Sequence, residues 1–106
     1  MVVATVAYRP GIDVEYYLNK HIPMSEEWMI PLGLERAEVR RFFPGPDGAA
    51  PKYAVMTSLY FPTMDIFLTT VQHPRMADMT ADVKNFYQGE PEMFIGEPVY
   101  ERNYKA

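Results

Sequence analysis

The sequence contains no cysteine among its 106 residues. Without thiols the chain has no disulfide bond, no cysteine-based zinc site and no thiol nucleophile, so it fits a reducing compartment, and we expect a cytoplasmic protein. It also lacks a Gly-x-Ser-x-Gly elbow, a Walker phosphate loop and a Gly-x-Gly-x-x-Gly turn. Serine acyl transfer, nucleotide binding and dinucleotide binding therefore have no support.

Basic residues and long apolar runs are also few. Ten Lys and Arg are scattered against fourteen Asp and Glu, which gives a net charge of −4 and no field that would attract nucleic acid. The two histidines lie far apart, and neighbouring Glu26 and Glu27 fall on a solvent-facing arc, so we expect no metal site. No run could span a bilayer, and residues 2–8 lack the basic segment of a signal peptide.

What the chain does contain is typical of a folded globular protein. Apolar residues make up 48% and aromatic residues 14% of its composition, and its length suits one domain over residues 1–106. Strands are predicted at 2–8, 34–43, 53–61 and 92–100, a first helix at 14–29 capped by Asp13 and closed by Pro31 and Gly33, and a second helical region from 64 to 86, interrupted at Pro74. This βαββαβ order predicts a ferredoxin-like α+β fold, with an antiparallel sheet and both helices on one face.

The first and third predicted strands carry no charge on either alternating set of side chains. A sheet with one solvated face alternates apolar with polar residues, whereas a sheet covered on both faces does not. Two helices cover one face only, so we expect a second copy of the chain on the other, as a homodimer with a barrel-like interior. The alternative is that small and aromatic residues tolerate exposure there.

His21 lies in the apolar arc of the first helix. At 100° per residue this arc contains Tyr17 one turn before His21, and Ser25 and Trp28 after it, while Pro23 falls on the polar arc, where its ring can bend the helix. His21 is either a core histidine bonded to Tyr17, Ser25 or a sheet side chain, or a general acid or base in an apolar pocket.

Other prominent side chains have a structural and a functional interpretation. We expect His73, next to Pro74, to face solvent or cap helix carbonyls. The eight methionines either fill core space or, with aromatic residues, wall a cavity for a flat apolar ligand. The candidate aromatic walls are Tyr17, Trp28, Tyr53, Phe61 and Phe86.

The motifs together resemble the EthD family, within the dimeric α+β barrel superfamily. The matching pieces are DVEYYLNKHIPM at 13–24, Trp28, the exit Pro31-Leu32-Gly33-Leu34, Pro51-x-Tyr53, Tyr60-Phe61 and ADVKNFYQGEP at 81–91. They cover nearly the whole chain. The most specific part is YYLxxHxP followed at a distance by D-x-x-N-[FY].

The resemblance implies the ferredoxin-like homodimer and chemistry without a metal or flavin cofactor. It marks His21 as the family's histidine, with Tyr17 beside it, and it matches Asp82 and Asn85 to the later motif, where such residues often bond backbone groups at a helix end. The family takes its name from a protein linked to ethyl tert-butyl ether degradation. Its superfamily includes cofactor-independent monooxygenases, polyketide cyclases and decarboxylases, and lactone isomerases.

Two hypotheses about function follow. In the first, a cofactor-free enzyme uses His21 to move a proton next to a carbonyl of an enolisable, phenolic or polyketide-like molecule, and Tyr17 bonds the developing enolate oxygen. The substrate-binding residues would be Ser25, Trp28, Tyr53, Phe61, Asn85 and Phe86. In the second, the protein is a dimeric binding or accessory protein without turnover, and His21 has a packing role.

Overall fold

The computed structural model describes residues 1–105 and contains one four-stranded antiparallel sheet with helices on one face. The strands are β1 (Val2–Tyr8), β2 (Arg36–Arg41), β3 (Val55–Phe61) and β4 (Glu92–Gly96). The helical segments are α1 (Val14–Tyr16), a π turn (Tyr17–His21), α2 (Ile22–Leu32), α3 (Met64–Val71), α4 (Met76–Asp82) and a 3₁₀ turn (Val83–Asn85). The strand order β2-β3-β1-β4 confirms the ferredoxin-like α+β fold.

The element boundaries differ from the predicted ones mainly at the ends. The first helix continues through Pro31 to Leu32, because Pro31 and the Glu27 carbonyl that it leaves without an N–H donor both lie on the exposed side. Gly33 then ends the helix at φ 122°, a conformation that glycine adopts without strain. The second, third and fourth strands are shorter than predicted, since apolar residues continue beyond the last paired residues.

The helices pack on the face of the sheet that carries the even-numbered residues of β1. Ala4 pairs with Leu59 and Val6 with Thr57, so these positions of β1 and β3 share that face. The core consists of two clusters. The first is Val2, Ala4, Trp28, Met29, Leu34, Phe61, Phe67 and Met79; the second is Tyr8, Tyr17, Val55, Phe86 and Tyr87.

The opposite face of the sheet has no helix on it within residues 1–105. Thr5, paired with Ser58 and Phe94, lies at its centre, and the two central strands carry no charge there, as the sequence indicates. The edge strand β2 differs, because three of its charged side chains share this face. They are Arg36, Glu38 and Arg40, which pair with Tyr60, Ser58 and Met56. No helix within residues 1–105 has the length and hydropathy needed to cross a membrane.

Candidate active site

The first helix changes its hydrogen-bond pattern where it carries Tyr17 and His21. The N–H of Ile22 donates to the Tyr17 carbonyl, five residues back, which defines a π turn. Pro23 follows and has no N–H to offer the Asn19 carbonyl, so the regular α-helical bond cannot form there. The distortion that Pro23 predicts therefore takes the form of an extra residue in one turn, and π turns of this kind are frequent at functional sites.

At the start of this π turn, the consecutive residues Tyr16 and Tyr17 both contact the His21–Asp82 pair. Tyr17 and His21 are both buried and stack at 5.4 Å between ring centroids. Tyr16, on the polar arc of a regular helix, is half-buried and its hydroxyl donates to Asp82 Oδ1 over 2.7 Å. A uniform 100° rotation could not predict this contact.

His21 is hydrogen-bonded to a carboxylate on another helix. Its Nδ1 lies 2.8 Å from Oδ2 of Asp82, and the two side chains are only 8% and 14% exposed. The expected partners were therefore wrong: Ser25 donates to the carbonyl of Ile22, and Tyr17 contacts the imidazole through its ring face. The partner comes instead from the last turn of α4.

Asp82 receives three side-chain hydrogen bonds. Besides His21 and Tyr16, the Asn85 amide donates to its Oδ1 over 2.9 Å. Burial alone would raise the pKa of Asp82, but the bonds from Asn85, His21 and Tyr16 outweigh it and lower the pKa below its usual range. Asp82 is thus a carboxylate at neutral pH. The sequence motif is compatible with bonds to backbone groups at the helix end, but the bonds that Asp82 makes are to side chains.

The environment keeps His21 neutral. Burial lowers the pKa of His21 below its ordinary value, against a smaller opposing effect from Asp82. A carboxylate can only accept, so the hydrogen bond assigns the imidazole proton to Nδ1 and leaves the lone pair on Nε2. A neutral imidazole with a free Nε2 lone pair is a base.

A cavity of about 160 Å³ adjoins His21, between the sheet and helices α2, α3 and α4. All four buried polar residues of the described chain, His21, Ser25, Thr57 and Thr70, lie on its wall. The rest of the wall is largely apolar and includes Met29, Leu59, Phe61, Phe67, Met76 and Met79. A mostly apolar hollow with a few convergent polar groups is the usual form of a small-molecule site.

Tyr17 and Thr57 form a hydroxyl pair on this wall. Their oxygens are 2.6 Å apart, and this single bond uses one of the two hydroxyl protons. Burial raises the pKa of Tyr17, although bonds with Thr57 and Tyr8 act in the opposite direction, so the phenol stays protonated. Burial likewise raises the pKa of Tyr8, with a further contribution from Tyr17. The pair can donate one hydrogen bond to an oxygen in the cavity.

The predicted substrate-binding residues divide into three groups. Ser25 and Phe61 line the cavity together with Tyr17 and His21. Phe86 and Asn85 are not lining residues: the ring centroid of Phe86 lies 4.6 Å from that of the His21 imidazole, and the Asn85 amide donates to Asp82.

Two predicted wall residues lie away from the cavity. Trp28 stacks on His73 at 5.0 Å, and its indole Nε1 is buried without a partner among residues 1–105. Trp28 lies two turns along the helix from His21 and packs toward the segment after α3. The helical arc alone cannot distinguish this position from one that lines the cavity. Tyr53 precedes β3 and packs under the cations of Arg9 and Lys52. His73 accepts from the backbone N–H of Arg75, so it caps an amide and not the expected carbonyl.

The sequence interpretation missed Thr57 and the role of Asp82. Thr57 is the one hydroxyl in the otherwise apolar, helix-facing set Val55, Thr57, Leu59 and Phe61, and that departure was a usable signal. Asp82 belongs to the D-x-x-N motif, but its pairing with His21 depends on tertiary packing across 61 residues. Within residues 1–105, no three His, Cys, Asp or Glu side chains converge to hold a metal ion.

Comparison with known proteins places these residues in a family. The model of the EthD domain matches residues 13–90, which include the π turn, the cavity helices and Asp82. No curated protein sequence matches the chain significantly.

Solved structures share the fold over nearly the full length. An EthD-like protein from Ralstonia eutropha has 22% identity and a TM-score of 0.85, covering 98% of this chain and 96% of its own. An ethyl tert-butyl ether degradation (EthD) family protein from Bacillus halodurans has 24% identity and a TM-score of 0.78, covering 93% and 99%. SnoaB, a cofactor-independent oxygenase from Streptomyces nogalater, has 10% identity and a TM-score of 0.68, covering 94% and 93%.

Proposed function

Because the chain belongs to the EthD family, we propose that it is a cofactor-independent enzyme that removes a proton from a small, enolisable or phenolic molecule, with His21 as the base. The observation that carries the proposal is the buried imidazole, bonded through Nδ1 to Asp82 at 2.8 Å and lining an apolar cavity. A histidine that only filled core space would have no need of a carboxylate partner, a free lone pair and an adjacent hollow together.

The proposed step is an enolisation. Nε2 of His21 accepts the proton from a carbon next to a carbonyl, the electron pair of that C–H bond becomes the C=C bond of the enolate, and the carbonyl oxygen takes the negative charge. The hydroxyl proton left over in the Tyr17–Thr57 pair bonds that oxygen. Asp82 acts as a positioning residue, since it fixes the imidazole tautomer and stabilises the imidazolium that forms.

Several overall reactions start from this enolate. Aldol-type cyclisation and elimination of water proceed from it with no further reagent, and oxygenation would require molecular oxygen as the oxidant. Decarboxylation of a β-keto acid would reach the same kind of enolate by loss of CO2, and His21 would then act in returning a proton to the carbon. SnoaB is a cofactor-independent oxygenase of the same fold, which makes oxygenation reasonable for this chain as well. A polyketide-like substrate and a part in ether degradation belong to the same range of proposals.

Hydrogen–deuterium exchange tests the proton transfer directly. The protein is incubated with phenylacetone or cyclohexanone in deuterated buffer at neutral pH, and the loss of the α-proton NMR signals is followed against buffer alone. We expect faster exchange with the protein, and a rate lower by about 10²–10⁴-fold in His21→Gln, because a positioned base contributes a factor of that order.

Two further variants separate positioning from general damage. Asp82→Asn keeps the side-chain shape but removes the charge that stabilises the imidazolium, so the exchange rate should fall by about tenfold or more. Asp78→Asn, at an exposed position one turn earlier on α4 and paired with Arg75, should leave the rate unchanged. Equal exchange with wild type and His21→Gln would contradict the proposal. Ligand binding without exchange would favour the alternative, a binding or accessory protein.

We also propose that the protein is a homodimer in the cytoplasm. The central strands carry no charge on the sheet face opposite the helices, and face-to-face packing of two such sheets would cover the half-buried Val3, Thr5 and Tyr60. The absence of cysteine fits a reducing compartment.

A further inference from the structure

The wall of the cavity contains no ionic side chain that could pair with a charged ligand. Its lining residues within the described chain include no Lys, Arg, Asp or Glu. Ten Lys and Arg are present in the sequence, yet none reaches the cavity. Asp82 is not a lining residue, but its carboxylate bonds the ring of His21, which is one.

A carboxylate or phosphate on the ligand would therefore lose its hydration without gaining a cation. Burying an unpaired charge in apolar surroundings is unfavourable, and the negative charge of Asp82 on the far side of the imidazole adds repulsion. Protonated His21 is the one cation that could form there, and burial opposes its protonation by lowering the pKa of His21. The charge of the wall favours a neutral ligand.

The polar capacity of the wall is small and local. Ser25 donates to the carbonyl of Ile22 and Thr70 to the carbonyl of Ile66, so both hydroxyl protons are already used within their own helices. Beside His21, the groups left for a ligand are the imidazole lone pair and one proton from the Tyr17–Thr57 pair. The other lining hydroxyls are those of Tyr8 and of Thr80, which is at an exposed position. One phenol group would satisfy both the lone pair and the proton of the hydroxyl pair, and one carbonyl group would accept the proton while its neighbouring C–H bond faces the lone pair. Most additional polar groups would meet apolar side chains.

The volume limits the size of the ligand. The cavity measures about 160 Å³, and an apolar cavity of about 150 Å³ in another protein holds one benzene molecule. A single six-membered ring with a short substituent fits such a space. A second fused ring exceeds this volume, so it would have to displace a wall side chain or extend into solvent past the exposed lining residue Met93, with less of its surface buried.

We propose that the ligand of this cavity is a neutral, monocyclic or similarly small molecule with one carbonyl or phenol group, and that carboxylates and fused-ring compounds are rejected. The size and charge of the ligand follow from the cavity wall, and only the choice of a carbonyl group rests on the proposed function. The inference narrows the substrate class of that site from the broad group that the family resemblance implies.

Binding of matched ligands tests the inference without any turnover. Phenylacetone and phenylacetate have nearly the same shape, but the second carries a carboxylate; naphthylacetone keeps the ketone and adds a fused ring. Titration followed by protein NMR should give a Kd for phenylacetone at least about tenfold lower than for either of the others. Equal or tighter binding of phenylacetate or naphthylacetone would overturn the inference.

Matched variants locate the binding in this cavity. Leu59→Ala enlarges the wall, so it should improve naphthylacetone binding, whereas Leu68→Ala, at a 41% exposed position outside the wall, should not. Met93→Arg places a cation at an exposed lining position and should improve phenylacetate binding, whereas Ile95→Arg on the same strand should not. If Leu59→Ala does not fold, Met93→Ala takes its place. Equal responses of a variant and its control would contradict the assignment.

The outcomes separate this inference from the proposed function. Selective binding of phenylacetone without α-proton exchange would support the ligand class and refute the enzymatic step. Exchange that depends on His21 but proceeds as well with naphthylacetone would support the enzymatic step and refute the ligand class.

Discussion

At the scale of single residues, the site is organised around one buried hydrogen bond. The Nδ1–H of His21 and the carboxylate of Asp82 fix each other, and Tyr16 and Asn85 hold the carboxylate from two further directions. Together these bonds fix the tautomer of the imidazole, the orientation of its ring and the position of the negative charge. The motif YYLxxHxP is therefore held in place by the distant D-x-x-N motif, since Tyr16 and His21 both bond Asp82.

The neutral state of His21 predicts a pH dependence of stability. Burial lowers the folded-state pKa of His21 below 6.5, so the unfolded chain binds this proton more readily. The unfolding free energy should therefore fall as pH decreases from 6.5 through the lowered pKa, by at most about 1.4 kcal/mol per pH unit. Asp82, whose pKa is lowered from 3.8, adds a separate loss at more acidic pH.

Chemical denaturation at a series of pH values measures this effect. His21→Gln should lack the loss that begins near the ordinary histidine value of 6.5, whereas the matched variant His73→Gln should keep it. Identical pH profiles of wild type and His21→Gln would contradict a lowered pKa at His21.

At the scale of secondary-structure elements, regular periodicity predicts the fold better than it predicts the site. The βαββαβ order and the cap at Asp13 follow from turn residues and apolar spacing, and the structure confirms both. The position of Tyr16 does not follow, because the π turn inserts one residue into a pattern that is otherwise uniform. Pro23 indicates a distortion, but only tertiary packing determines which form it takes.

Pro23 itself supplies the next prediction. Pro23→Ala restores an N–H to the helix interior, so the Asn19 carbonyl gains a donor and the helix can return to α-helical spacing. We expect the unfolding free energy to rise by about 1 kcal/mol, the net contribution of one backbone hydrogen bond, while the contact between His21 and Asp82 weakens and α-proton exchange slows. The readouts are chemical denaturation and the imidazole NMR signals.

Pro31→Ala is the matched control for this change. Pro31 lies in the last turn of the same helix, on its exposed side and beyond the π turn. It should give a similar gain in stability with no change in exchange. An unaltered His21 signal and exchange rate in Pro23→Ala would show that Pro23 does not maintain the π turn.

At the scale of the whole molecule, the cavity is a product of how two core clusters meet. The cluster around Phe61 and the cluster around Tyr8 both contribute wall residues, and the buried polar side chains lie on the same wall. The sequence indicates which residues are apolar and face the sheet. It cannot indicate that Trp28 packs on His73 while Ser25 faces the hollow, since both lie on one helical arc.

The uncovered sheet face leads to the prediction at this scale. Thr5 lies at its centre between Ser58 and Phe94, so a charge there would be buried without a partner if two sheets pack face to face. Sedimentation equilibrium should give the mass of a dimer for wild type and a shift toward the monomer for Thr5→Glu. Leu68→Glu, a matched charge at an exposed helix position on the other side of the sheet, should stay dimeric. Because the Arg36, Glu38 and Arg40 side chains border this face, the dimer should pack on the central strands and leave β2 at its rim. A wild-type monomer, or a dimer unaffected by Thr5→Glu, would exclude this face as the interface.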